Sequence, residues 1–167
     1  NDSNIDLTPI DDDIHMKVSL ELIDFEDFPG GEVVAQDLEI ARSRLEKILI
    51  SKAFREKIYK HKYNKKFQFK ENNRKSTQEI HQIILDGADK YNRTVDNEID
   101  MILCPYISSK KVLGYTYQSR KEVWINFKYY RDRYNNFKVS SMMGNILHEW
   151  LHNAGSGDAT KWNPPRK

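Results

Sequence analysis

An α+β fold is predicted by three features of the chain. Ile14, Met16, Val18, Leu20 and Leu22 alternate with His15, Lys17, Ser19 and Glu21, the period of a strand with one buried face. From Val33 the apolar residues recur at helical spacing instead, and a later pair of alternating runs flanks the polar stretch Gln118 to Lys121. Strand and helix periods therefore share 167 residues, enough for one domain with its own core and too few for two.

Taken in order, residues 1–13 are polar and acidic, contain Pro9 and show no period, so they read as an N-terminal extension. The domain proper is expected over residues 14–167. After the first strand, "DFPGG" breaks the chain. Val34, Leu38, Ala41, Leu45, Ile48 and Leu49 then form one stripe, which predicts a helix running to about Tyr59. Ser76 and Glu79 fit a capping box for a second helix carrying Ile80, Ile83, Ile84 and Ala88, with His81 partly exposed on it. "EIDMILCP" reads as a buried strand ended by Pro105. Val112 to Tyr117 and Glu122 to Phe127 read as a hairpin, with Val123, Ile125 and Phe127 on one face and Trp124 and Asn126 on the other. A polar connection from Tyr129 to Lys138 leads to a last helix that Ser140 or Ser141 would cap.

Composition narrows the function. No run approaches the roughly 18 apolar residues of a membrane span, so no span is expected. The formal charge is +2, from 27 basic and 25 acidic residues. Basic residues cluster from Lys52 to Lys75 with Phe54, Tyr59, Tyr63, Phe67 and Phe69 among them, but no recognition motif accompanies them. A solvated helix face is the reading taken, with no nucleic-acid partner. The single cysteine, Cys104, excludes an internal disulfide and sits in the apolar run "MILC", as a buried, inert thiol would. The first residue is Asn1 and not methionine, which points to removal of a preceding segment such as a secretion signal.

The chemistry concentrates in "NILHEWLHNAGSGDAT", Asn145 to Thr160. On a helix, residues four apart lie one turn and about 40° of rotation from each other, so His148 and His152 share a face. Two imidazoles so placed can meet one zinc ion at about 2.0–2.1 Å. Glu149 lies beside such an ion, where it can take a proton from a zinc-bound water and pass it to a leaving amine. Zinc needs a third protein ligand. Downstream of His152 there is no histidine and no glutamate, and Asp158 is the one strong ligand left. Gly155, between them, is suited to ending the helix and turning the chain back. Should the third ligand lie elsewhere, His15, His61 and His81 are the alternatives.

"HEWLHNAGSGD" resembles the elongated motif of the metzincin clan of zinc peptidases, His-Glu-x-x-His-x-x-Gly-x-x-(His or Asp). The match sets His148, Glu149, His152, Gly155 and Asp158 on the first ligand, the base, the second ligand, the turn glycine and the third ligand. It is especially similar to bacterial metallopeptidases that carry His-Glu-Trp-x-His. The resemblance implies a zincin/metzincin-like fold: a twisted mixed sheet packed on two long helices, with the active-site helix near the C-terminus. It also implies that the hairpin "GYTY" to "EVWINF" carries the edge strand above the cleft, Val112 to Tyr117 or Glu122 to Phe127. Two departures carry expectations of their own. The third ligand is aspartate where the clan more often has histidine. The clan's methionine turn has no counterpart in "ATKWNPPRK", the nine residues after Asp158, so the C-terminal subdomain is expected to be very short or truncated and the cleft open below the metal. Met142 and Met143 precede the motif and are expected in the core.

The activity implied is that of a zinc-dependent endopeptidase cleaving peptide or protein substrates, with Zn2+ as cofactor and Glu149 as base and then acid. A secreted, periplasmic or cell-surface monomer of bacterial origin suits that reading. Tyr115, Tyr117, Tyr129 and Tyr130 are candidates for touching substrate. The alternative from another class is a zincin-fold binding or inhibitory module with little or no hydrolysis, which retention of Glu149 argues against.

Overall fold

The computed structural model describes residues 6–61, 75–112, 114–116, 120–130 and 139–156. Four strands, β1 (Lys17–Leu22), β2 (Glu98–Tyr106), β3 (Gly114–Thr116) and β4 (Glu122–Asn126), form a mixed sheet in the order β1-β2-β4-β3. The β1–β2 and β2–β4 pairs are parallel; β3 joins β4 antiparallel and occupies one edge of the described sheet. Register puts Val18 opposite Ile99, Leu20 opposite Met101 and Leu103 opposite Val123, so one face is continuously apolar. The helices α1 (Gly31–Leu49) and α5 (Val139–Leu151) share one core with that face. Val34, Leu38, Ala41 and Leu49 of α1 are wholly buried, as are Trp150 of α5 and Ile99 of β2. The opposite face carries Ser19, Asp100, Tyr106, Tyr115 and Trp124, all half-buried.

The outer edge of β1 is occupied by side chains of α1. The main-chain N–H of Val18 donates to Glu46 Oε2 at 2.8 Å, and its carbonyl accepts from Arg42 Nη1 at 3.2 Å. Arg42 in turn bridges Glu39 and Glu46, so the outward main-chain groups of Val18, which a free edge strand would leave open, are satisfied within the domain.

Several expectations are corrected in detail. The strand starts at Lys17, not Ile14. The long helix is two: α1 stops at Leu49, and α2 (Lys52–Tyr59) starts after Ser51. Ser51 is an N-cap hidden inside an apolar helical run. Its hydroxyl accepts from Phe54 N at 3.1 Å and donates to Ile48 O at 2.7 Å. The residues read as an extension help fix this break, since Ile10 N donates to Ile50 O and Lys52 N to Thr8 O. The expected capping box is present on α3 (Thr77–Asp86), which ends at Gly87 with φ 70°. His81 is buried, not partly exposed: it lies against the rings of Phe54 and Tyr59, because α2 covers the face of α3 that a lone amphipathic helix would leave wet. Pro105 does not end β2. It pairs in register with Ile125, and the strand continues to Tyr106. Phe127 opens a short helix, α4 (Phe127–Tyr130), and is buried from there. Ser140 and Ser141 fall inside the first turn of α5 and not before it. Among the described residues no helix is long and apolar enough to cross a membrane.

Candidate metal centre

Helix α5 is apolar on most of its surface, and burial of Met142, Ile146, Leu147, Trp150 and Leu151 fixes its rotation against the sheet and α1. That rotation turns Asn145, His148, Glu149 and His152 toward one another's neighbourhood. His148 is 9% exposed and Glu149 5%. The Nε2 atoms of His148 and His152 approach to 3.3 Å, with the rings perpendicular at 89° and their centroids 4.9 Å apart. Two nitrogens each bound to zinc at about 2.0–2.1 Å and subtending a tetrahedral angle are separated by about 3.3–3.4 Å. The pair thus has the spacing of one edge of a zinc tetrahedron.

The edge strand β3 passes beside Glu149. A side chain's first carbon at Gly114 would stand 3.8 Å from Glu149 Oε1 and 2.7 Å from the carbonyl oxygen of Trp124. Glycine at 114 therefore lets β3 keep its pairing with β4, and the strand passes within ordinary contact range of the carboxylate. The Asn145 amide, one turn before Glu149, donates to the Tyr130 hydroxyl, and Tyr130 is 1% exposed. Burial, and then the charge of Glu149 against the opposing bond from Asn145, leaves the Tyr130 phenol well above its ordinary range. Burial and Glu149 raise that of Tyr106 too.

Beyond Leu151 the helix widens into a π turn, His152–Ser156. Gly155 does not end the helix at the expected place, since this turn carries the chain through it. Asn153, wholly buried, anchors the turn: its carbonyl accepts from Lys90 N at 2.9 Å. Asp158 lies outside the described residues, as does Tyr117. No third histidine, cysteine or carboxylate among the described residues lies within 4.8 Å of both imidazoles, so His15, His61 and His81 do not join the pair. Among the described residues, the one group of three possible ligands within that distance is Asp24, Glu26 and Asp27, all exposed on a short turn. Of the tyrosines, Tyr130 is too deep to meet a substrate, Tyr129 bonds the carbonyl of Lys110, and Tyr115 stacks on Trp124 at the edge strand. Cys104 is buried, with its thiol pushed up by burial and by Glu122, Asp24 and Glu21.

Sequence reasoning missed Gly114 and the Asn145–Tyr130 pair. An asparagine in an otherwise apolar helix segment, four residues before the glutamate, was the available signal for the second. Nothing local marked Gly114, whose role depends on how closely β3 approaches the Trp124 carbonyl of β4. Compared with known proteins, the chain matches no family model, and no significant match was found among curated proteins or solved structures.

Proposed function

We propose that the chain is a zinc-dependent endopeptidase of the metzincin type, with His148, His152 and Asp158 as ligands and Glu149 as general base. The observation that carries this reading is the 3.3 Å separation of the two Nε2 atoms, which fits a shared tetrahedral ion. Zinc, when bound, supplies Lewis acidity toward the scissile carbonyl and lowers the pKa of water. Glu149 takes one proton from the attacking water as its oxygen bonds to the carbonyl carbon. The same carboxyl then protonates the leaving nitrogen as the C–N bond breaks, giving an acid and an amine. Its burial beside Gly114 keeps competing solvent away from that transfer. An extended peptide laid on β3 would bond to the strand's main chain and bring its own carbonyl over the carboxylate. A zinc-holding module without hydrolysis has no use for a carboxylate buried in that position.

The test is metal analysis of zinc-reconstituted protein together with cleavage of a mixed peptide library. One zinc per chain and cleavage that disappears in Glu149→Ala, with zinc retained, is the expected result. Loss of zinc from folded Glu149→Ala, or cleavage that survives the substitution, refutes the assignment.

A further inference from the structure

The residues leading into the edge strand, Ile107 to Val112, form a loop whose main chain is clamped from below. Asn126, wholly buried, accepts from Ser108 N at 3.2 Å through its Oδ1. Its amide donates to Ser108 O at 2.9 Å and Val112 O at 3.1 Å, and reaches Lys110 O at 3.5 Å. The Tyr129 hydroxyl donates to Lys110 O at 3.2 Å, and Lys110 N donates to Ser108 Oγ at the same distance. A solvated connection needs none of these bonds. Scaffold-held loops of this kind are where binding residues concentrate.

The clamp presents cations. Lys110 and Lys111 are exposed on the loop, flanked by Ile107 and Val112 at 50% and 45% exposure. Lys128, also exposed, follows the clamping asparagine, which accepts from its main-chain N at 3.1 Å. No carboxylate among the described residues is within ion-pair distance of any of the three. The loop also adjoins the candidate centre. Two residues of extended chain span at most about 7 Å, so Val112 lies within that reach of Gly114, which in turn sits over Glu149.

We propose that this loop selects acidic peptides, Lys110 and Lys111 pairing with aspartate or glutamate side chains of a chain laid along β3. The proposal rests on the peptidase reading for the location of the peptide. A polypeptide is favoured over a nucleic acid because the loop runs directly into an edge strand, whose main-chain groups match a peptide backbone and not a sugar-phosphate one. Each exposed ion pair contributes up to about fivefold in affinity, and a preformed loop loses little freedom on binding.

The test uses the full chain carrying Glu149→Ala, zinc-reconstituted, and three fluorescent peptides identical except for a Glu-Glu, Gln-Gln or Lys-Lys pair. A labelled oligothymidylate is the fourth probe. Anisotropy should rank the peptides Glu over Gln over Lys, with the outer two differing on the order of tenfold. Lys110→Glu with Lys111→Glu should invert that order at unchanged zinc content, while the double arginine variant preserves it. Equal affinities, no binding by any peptide, an order indifferent to charge reversal, or tighter lysine-dependent binding of the oligonucleotide overturns the proposal. The two readings fail separately. Wild-type cleavage without acidic preference removes the selectivity and leaves the peptidase; lysine-dependent binding of acidic peptides that are never cleaved does the reverse.

Discussion

Acidification should destabilise the fold through His81, by an amount the structure sets. The imidazole is 3% exposed, its Nε2 has no hydrogen-bond partner among the described residues, and the rings of Phe54 and Tyr59 lie beside it. Burial foremost, and then the charge of Arg55, lowers its pKa from 6.5 to about 4. Above pH 6.5 the ring is neutral whether the chain is folded or not, and its protonation contributes nothing. Between 6.5 and about 4 the unfolded chain binds a proton that the folded one refuses, so stability falls with pH; below about 4 both are protonated and the loss is complete. At 1.36 kcal/mol per pH unit the full loss is roughly 3 kcal/mol, and about 2 kcal/mol has gone by pH 5. His81→Phe keeps a ring of similar size and removes the titration. Urea unfolding of both proteins from pH 7.5 to 3.5 isolates the effect, because every other titrating group cancels in the difference. The gap should open by about 2 kcal/mol between pH 7.5 and 5 in favour of the variant. Parallel curves would mean that the folded state accommodates the charge, and that α2 and α3 are packed more loosely than described.

Gly114→Val should lift β3 away from β4, because even its first side-chain carbon would stand 2.7 Å from the Trp124 carbonyl oxygen. Cleavage should fall far more than zinc content, since both histidines belong to α5; full activity would show that β3 takes no part in catalysis. Asp158→Ala should weaken zinc binding by more than the roughly 10–100-fold typical of losing a group behind a ligand. Competition with a chelator measures it, and unchanged affinity would place the third ligand elsewhere.

The histidine pair was legible because four-residue spacing is a property of one helix, independent of what packs around it. The same holds for the Ser76–Glu79 box, whose partners are three residues apart. What escaped depends on distant partners. Ser51 is a routine helix residue until the segment Thr8–Ile10 pairs across the break it caps. His81 looks wet until α2 folds over it, and Pro105 looks terminal until β4 supplies a parallel neighbour on the side where its missing N–H is not required. Gly114 and Asn126 carry no periodic signal, since a close approach and a clamp are made by elements that only the tertiary fold unites.

The bonds from Arg42 and Glu46 to Val18 also bear on how the chain is made. Lys17 finds its sheet partner at Glu98, so β1 must wait for 81 further residues before it can pair. At about 5–20 residues per second of synthesis, that interval is roughly 4–16 s, long enough for a bare strand to find the wrong neighbour. Helix α1 emerges directly behind β1, and its Arg42 and Glu46 occupy the same main-chain groups of Val18 that a stray strand would seek. These bonds close the outer side of β1 at Val18, so a stray strand is refused there while the inner side waits for β2.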